Sequence, residues 1–270
     1  MDDRLESMYE RFTWRILSNY VSPWEFEQLR QEITDYEQWC GAWSAQARTH
    51  IDRGDAALAA GRRLTAGDAY LRAGLLYHWA SFLFSHDKDQ YRAALQATAA
   101  VWQQAAPLLD PPMSILEVPF ENLTLPGYLR IPSGVTRPPV VIMFPGGDSV
   151  KEELYNLGDY IVARGLAFAA FDGPGQGIVS LDAPLRPDYE LVIRAVIDSL
   201  AGRATAPLLQ VYGGLDTGSP EHGQRIAAEY GGPVTNVVFD DGVHILNNIY
   251  YKARPLVADW LAETLTGRTR

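Results

Sequence analysis

The sequence has a single cysteine, Cys40, so it cannot form an internal disulfide. No group of cysteines and histidines has the spacing of a zinc site, and we expect neither a metal nor another cofactor. The first residues, MDDRLESMYERF, are acidic where a signal peptide is basic. No apolar run approaches the roughly 18 residues that span a membrane. These absences predict a cytoplasmic protein in a reducing compartment, without a membrane segment.

Clusters of basic residues are missing as well. The chain has 33 acidic residues against 23 Lys and Arg, which gives a formal net charge of -10. Binding of nucleic acid requires clustered Lys and Arg that neutralise phosphates. We therefore expect no nucleic-acid partner, and we interpret the acidic excess as charge that keeps the chain in solution.

The first 112 residues show helical patterns only. Thr65-Ala66-Gly67-Asp68 has the form of a capping box, and apolar residues follow it at helical intervals that predict one buried face: Ala69, Ala73, Leu76, Ala80 and Phe84. A second helix is predicted from Asp87 to Pro107. Further helices are predicted upstream, where five aromatic residues are expected in the core: Trp14, Trp24, Tyr36, Trp39 and Trp43. His78, between two aromatic residues, is more typical of a core histidine than of a catalytic one.

After Pro111-Pro112 the period changes to that of strands. Two runs around Glu121-Asn122 predict a strand pair, 115–119 and 124–131. Continuous apolar runs predict buried strands at 140–144, 166–171, 208–212 and 234–239. Helices are predicted between them at 151–164, closed by Gly165, then at 189–200, after Pro220 and at 253–265. This alternation predicts an α/β fold with a parallel sheet, preceded by a helical region; the predicted division is 1–112 and 113–270.

Loops rich in glycine or acid follow four of these strands. They read PGGD at 145–148, FDGPGQG at 171–177, GGLD at 213–216 and DDGVH at 240–244. Because the carboxyl ends of parallel strands meet at one edge of a sheet, we expect the four loops to form one site. Asp172 and Gln176 are expected to hold the FDGPGQG turn rather than to perform chemistry.

The order of these motifs resembles the α/β-hydrolase superfamily. The pairing of FDGPGQG with Lys151-Glu152-Glu153 and with the helical stretch AGDAYLRAGLLYHWASFLF is similar to one branch, which contains 2,6-dihydroxypseudooxynicotine hydrolase and related esterase-like and chain-shortening hydrolases. The resemblance implies a shortened α/β-hydrolase-like parallel sheet under an N-terminal helical cap. It also implies a small-molecule substrate, with hydrolysis of an ester or of a carbon-carbon bond beside a carbonyl.

The resemblance further implies roles for individual residues. His244 would be the general base, and Asp216 would hold its tautomer and stabilise the imidazolium. Backbone amides near Gly146, Gly147 and Asp148 would form the oxyanion and substrate-binding site. A plain tight turn is the alternative reading of Gly146-Gly147.

The chain departs from the superfamily at the nucleophile. No serine lies in a Gly-x-Ser-x-Gly pattern, and only about 39 residues separate Gly177 from Asp216, where the superfamily has two more strands, their helices and a lid. A right-handed crossover is expected to place strand 208–212 beside strand 140–144. Residues 214–218 spell Gly-x-Asp-x-Gly, so Asp216 has two further readings, as a covalent nucleophile or as part of a structural turn.

Three classes of function stay open. The first is a hydrolase of small carbonyl compounds. The second is a cyclase, lyase or dehydratase in which His244 and Asp216 act as a general base without a covalent nucleophile. The third is a protein that binds a ligand without converting it. The sheet edge left by the shortened core also predicts a homodimer.

Overall fold

The structure, a computed structural model, describes residues 2–136, 138–200, 208–213, 234–242 and 244–266. Its α-helices are α1 (Asp3–Leu17), α2 (Pro23–Glu32), α3 (Trp39–Ala59), α4 (Arg63–Ser81), α5 (Lys88–Ala105), α6 (Tyr155–Val162), α7 (Tyr189–Leu200) and α8 (Tyr250–Thr266). Its strands are β1 (Met113–Phe120), β2 (Leu123–Arg130), β3 (Val140–Met143), β4 (Ala167–Phe171), β5 (Leu208–Gly213) and β6 (Val234–Phe239). Short 3₁₀ helices cover Tyr36–Gln38, Ala106–Leu108, Lys151–Leu154, Gly177–Leu181 and His244–Ile249. As the sequence predicts, only helices precede β1 in the described ranges.

Helix α4 lies at the centre of the helical region, between α3 and α5. Almost every residue from Ala66 to Ser81 is buried. The sequence predicts one buried face, whereas nearly the whole circumference of the helix is buried. The predicted capping box at Thr65 is wrong, because α4 begins at Arg63 with Arg62 at the N-cap. The start is set by the preceding turn, in which the Arg62 N-H donates to Ala57 O at 2.9 Å and closes α3 directly before α4.

Helix α5 begins as predicted. The side chain of Asp87 accepts hydrogen bonds from the backbone N-H groups of Asp89 and Gln90 at 3.1 and 3.0 Å. These bonds satisfy donors that have no partner within the helix. The α-helix then ends at Ala105, and one 3₁₀ turn carries the chain through Pro107.

The aromatic residues of the helical region divide between core and surface. Tyr36, Trp39 and Trp43 are buried as predicted, but Trp14 and Trp24 are 59% and 72% exposed, so the prediction is wrong for these two. Each lies two positions from a buried residue of its own helix, Ile16 in α1 and Phe26 in α2. Residues two apart on a helix do not share a face, which places both indoles toward solvent.

A four-stranded sheet has the order β1-β2-β4-β3. Strand β3 pairs with β4 in parallel, with Val140 opposite Ala167, as the sequence predicts. The hairpin β1-β2 and the pair β2-β4 are antiparallel, so the sheet is mixed rather than wholly parallel. All five residues of β4 are buried, which explains why its sequence is apolar without alternation.

Strands β5 and β6 form a second sheet, parallel, with Leu208 opposite Val234. The predicted placement of 208–212 beside 140–144 is therefore wrong, since β5 pairs with β6 and not with β3 in the described ranges. Helix α8 packs against both β5 and α6. The predicted helix after Pro220 lies outside the described residues.

The main hydrophobic core is continuous from the helices to the four-stranded sheet. Trp102 of α5 contacts Tyr128 of β2, with ring centroids 5.9 Å apart, and Tyr128 contacts Phe168 of β4 at 6.1 Å. The helical region thus packs directly on the sheet. The boundary at residue 112 stays a prediction. None of the helices in the described ranges combines the length and the hydrophobicity needed to span a bilayer.

The FDGPGQG turn after β4 is held by side chains, as expected. Asp172 is fully buried and accepts hydrogen bonds from the backbone N-H and the ammonium of Lys151, at 2.7 and 2.9 Å. Gln176 donates to the Pro145 carbonyl and accepts from the Gly173 N-H at 3.0 Å. Asp172 therefore fastens the turn to the neighbouring loop after β3 rather than to its own backbone. The two loops form one rigid unit.

Replacing Gly175 with alanine is expected to lower the free energy of unfolding by about 2 to 3 kcal/mol. Gly175 has φ 78°, and an added Cβ would overlap the backbone of Leu185. Gly134 has φ 77° with nothing within 4 Å of the same position, so its replacement by alanine should cost only about 1 kcal/mol. Urea unfolding of both variants measures the difference; equal losses would show that the contact with Leu185 contributes nothing.

Candidate active site

The turn after β3 presents two backbone donors. Its ends are fixed, because Ser149 N-H donates to Gly146 O at 3.2 Å and Gly177 N-H donates to Ser149 O at 3.1 Å. Within the described part of the chain, the N-H groups of Gly147 and Asp148 donate no hydrogen bond. Two adjacent N-H groups at the carboxyl end of a strand are the arrangement that stabilises a developing oxyanion.

A cavity of about 340 Å³ opens beside this turn. It is lined by Phe144 and Gly146 after β3, by Arg15 of α1, by Leu246 and by Arg254 of α8. A smaller cavity of about 170 Å³ is lined by His78, Gly147 and Gly177. Asp148 and Ser149 line both cavities, so the turn separates them. The larger cavity has the size of a small-molecule site.

Arg15 joins the helical region to the turn. It is buried, and its guanidinium donates to Glu153 through Nε and Nη2, each at 2.7 Å, and to Asp148 Oδ2 at 2.7 Å. Bidentate pairs of this kind are the strong form of an ion pair. Arg15 offsets the charge of Asp148. The Asp148 carboxylate therefore repels an oxyanion at the neighbouring N-H groups less than an unpaired carboxylate would.

Glu153 is the centre of this cluster. Besides Arg15 it accepts from Asn19 Nδ2 at 3.1 Å, from Ser149 Oγ, and from His78 Nε2 at 3.1 Å. Burial alone would raise the pKa of Glu153, but the charge and hydrogen bonds of Arg15, with the hydrogen bond of His78, hold that pKa well below its usual range. Glu153 is therefore an ionised anchor and a poor general base.

Ser149 and His78 are constrained by the same anchor. The Ser149 hydroxyl donates a hydrogen bond to the Glu153 carboxylate. This carboxylate is too weak a base to activate Ser149 as a nucleophile. His78 is buried as predicted; its Nε2 faces Glu153, and its Nδ1 has no hydrogen-bond partner among the described residues. These side chains hold the cap on the turn and leave the chemistry to other groups.

Lys151 and Glu152 form a second buried group behind the turn. The Lys151 ammonium lies 2.9 Å from Asp172 and 2.6 Å from Glu152. Burial by itself would lower the pKa of Lys151, but Asp172 and Glu152 raise it. Burial raises the pKa of Glu152 against the opposing charge of Lys151. The Lys151-Glu152-Glu153 motif therefore has two structural roles. Glu153 binds Arg15 of α1, and Lys151 binds Asp172 of the FDGPGQG loop.

The structure brings some of the predicted site residues together. Gly146 and Asp148 line the larger cavity with Leu246, which lies two positions after His244 in the same 3₁₀ helix. This helix begins after the turn at Gly242, whose N-H donates to Phe239 O at 2.9 Å, and Lys252 of α8 binds Asp241 at 2.6 Å. The backbone of His244 therefore starts an element of the cavity wall. Asp216 lies outside the described residues, and the contact between the two side chains stays a prediction.

Three cavity residues were missed from the sequence: Arg15, Asn19 and Arg254. A usable signal existed for the first two, because Phe12, Arg15 and Asn19 continue the spacing of the buried Leu5, Met8 and Tyr9 along α1. A charged residue on a buried helix face indicates a buried partner. For Arg254 the sequence gives no comparable signal, since polar and apolar residues are mixed around it in α8.

Comparison with known proteins gives a consistent result. The family model of FrsA-like esterases matches residues 28–208. The alpha/beta hydrolase pydG of Acremonium sp is 36% identical over 193 residues, which are 68% of this chain and 44% of that protein. The 2,6-dihydropseudooxynicotine hydrolase of Paenarthrobacter nicotinovorans is 35% identical over 170 residues, 63% of this chain and 45% of that protein. The chain thus spans less than half the length of these curated relatives, and the family match ends before Asp216 and His244.

A solved structure is also similar. The crystal structure of 2,6-dihydroxy-pseudo-oxynicotine hydrolase superposes with a TM-score of 0.85 over 95% of this chain and 97% of that chain, at 22% identity. At this identity the likeness shows the fold, which is that of an α/β-hydrolase.

Proposed function

We propose, from the premise that the chain belongs to the FrsA-like esterase family of α/β-hydrolases, that it hydrolyses a small carbonyl compound, either an ester or a carbon-carbon bond beside a carbonyl. In this proposal His244 is the general base and Asp216 fixes its tautomer. The N-H groups of Gly147 and Asp148 stabilise the oxyanion. Gly146 and Asp148 contact the substrate in the larger cavity.

The observation that carries the proposal is the turn after β3. Its two N-H donors have no partner in the described ranges, and the cavity beside it is shared with the 3₁₀ helix that begins at His244. A plain tight turn would not require the clamping by Gln176 and Gly177 that keeps these donors in place. Donors fixed before the reaction need no reorganisation during it.

The sequence has no Gly-x-Ser-x-Gly nucleophile, and this favours a second candidate function. In that case His244 activates water or removes a proton from the substrate directly, as in a cyclase or lyase. A ligand-binding protein without turnover is the remaining outcome.

A panel of aryl esters and aryl β-diketones, combined with a fluorophosphonate probe, tests the proposal. Hydrolysis with covalent labelling is expected if a serine acts as nucleophile. Hydrolysis without labelling would favour water activated by His244. The absence of both turnover and labelling would contradict the hydrolase proposal and leave the cyclase or lyase and the ligand-binding protein as the candidates.

Two expectations from the sequence remain predictions beside this function. We still expect a homodimer, in which a second copy covers the sheet edge left by the shortened core. We also still expect a cytoplasmic location. We also keep the expectations that no nucleic acid and no cofactor take part.

A further inference from the structure

Arg254 is a partly buried cation in the wall of the larger cavity. Its Nη1 donates to the backbone carbonyl of Ser18 at 3.0 Å, and its Nη2 donates to Asn19 Oδ1 at 3.3 Å. Both acceptors are neutral. Among the described residues, no carboxylate lies within ion-pair distance of Arg254. A guanidinium has five N-H donors, so most of its hydrogen-bonding capacity is unused by these two contacts.

Arg15, which lines the same cavity, shows the contrast. It pairs with Glu153 and Asp148 at 2.7 Å each. Arg130, also buried, pairs with Asp159 at 2.7 Å. Taking a charge out of water is unfavourable unless a counter-charge compensates it. Burial lowers the pKa of Arg254, and the opposing electrostatic effects of Tyr160 and Glu153 do not reverse the shift.

The charges in the cavity wall fix the kind of ligand that would compensate Arg254. Asp148 and Glu153 both face Arg15, so together with Arg254 the four charges sum to zero. A monoanion is the ligand that can form an ion pair with Arg254 while adding only one negative charge to this wall. A phosphate dianion would bring excess negative charge close to Asp148 and Glu153. A planar carboxylate also matches the fork of a guanidinium, which can donate two parallel hydrogen bonds.

Much of the remaining cavity lining is apolar. Met143 and Phe144 from the end of β3 face Leu157 of α6 and Val257 of α8, one turn from Arg254. A volume of about 340 Å³ accommodates one small organic molecule. The ligand that fits has an alkyl or aryl body and one acidic group.

We propose that this cavity binds a small monocarboxylate, with its carboxylate on Arg254 and its apolar body against Met143, Phe144 and Val257. The inference deepens the proposed function, because it gives the substrate a carboxylate in addition to the reacting carbonyl. It is tested by binding alone and does not require turnover.

The probes are phenylacetate, cyclohexanecarboxylate and hexanoate, each compared with its primary amide by isothermal titration calorimetry. At least one acid should bind about tenfold or more tightly than its amide. R254M should abolish this preference, whereas R254K should keep part of it. The matched control is R72M, since Arg72 also donates to a backbone carbonyl, that of Tyr20 at 2.8 Å, and lies over its ring without lining this cavity. R72M should preserve the preference.

Equal binding of every acid and its amide to the wild type would overturn the proposal, and so would an acid preference that survives in R254M. Competition by inorganic phosphate as strong as by the acids would overturn the assignment of a monocarboxylate. If R254M does not fold, NMR of the Arg254 side chain in the wild type replaces it, and the Nε-H resonance should shift on titration with acid but not with amide. Acid binding without hydrolysis would support this site and contradict only the proposed function.

Discussion

Replacing Glu153 with glutamine is expected to lower the free energy of unfolding by about 3 kcal/mol, at the low end of the range for a broken buried ion pair. The substitution keeps the shape and removes the charge that faces the buried guanidinium of Arg15. Asp148 still pairs with Arg15, which limits the loss. Urea unfolding followed by circular dichroism measures the change.

The neighbouring residue supplies the matched control. Glu152 is also buried, but burial raises its pKa, so the fold stabilises its ionised form less than that of Glu153. Glu152→Gln is expected to cost clearly less than Glu153→Gln. Equal losses would contradict the view that the charge of Glu153 holds α1 in place. In the double variant R15M/E153Q, part of the lost stability should return, because no buried charge is left unpaired.

The same residue gives a pH dependence of defined sign. The folded pKa of Glu153 is held below the unfolded value of about 4.3. Its contribution to stability is therefore fully present above that value and is lost as the pH falls through the folded pKa. The stability difference between the wild type and Glu153→Gln should shrink as the pH is lowered from about 6 to about 3. A difference that stays constant over this window would exclude the ionised anchor.

Replacing His244 with alanine is expected to reduce turnover by about 100-fold to 10,000-fold, the range for loss of a general base. The residue begins a short 3₁₀ helix at the cavity wall, so its loss should change the free energy of unfolding by less than about 1 kcal/mol. The effect should appear in kcat more than in KM, because the base acts in the transition state. Steady-state kinetics on the best substrate of the panel measures this.

His86 provides the control for that substitution. It is a partly exposed histidine that binds Glu37 at 2.9 Å, in the helical region and outside both cavities. His86→Ala should keep wild-type turnover. Full activity in His244→Ala would contradict the assignment of His244 as the general base and would favour the ligand-binding function.

The fold was predictable where local sequence decides it. The apolar run of β4 and the periodic pattern of α7 specify elements whose bounds agree with the structure to within one residue. The helix predicted over 151–164 divides into a 3₁₀ turn and α6, because Lys151, Glu152 and Glu153 are each drawn into separate buried contacts. Gly165 has the positive φ of a capping glycine, 81°, but it lies three positions after Val162, and the C-cap of α6 is Ala163.

The candidate site was less predictable, because its contacts join distant parts of the chain. Asp148 was found through its glycine turn, whereas its partner Arg15 lies 133 positions away, on a helix whose pattern indicates a buried partner without identifying it. The pairing of β5 with β6 alone depends on how α8 packs, which no local pattern encodes. The position of Arg254 in the cavity wall likewise depends on how α8 packs.

The contacts of Arg15 also constrain the order in which the protein folds. Helices α3, α4 and α5 follow one another along the chain and pack together, so they close only short loops. The bonds from Arg15 to Asp148 and Glu153 span 133 and 138 residues. Closing so long a loop costs entropy that is repaid only when the turn after β3 already exists. The contact between α1 and the turn after β3 therefore forms late, and during synthesis it waits until more than half of the chain has emerged.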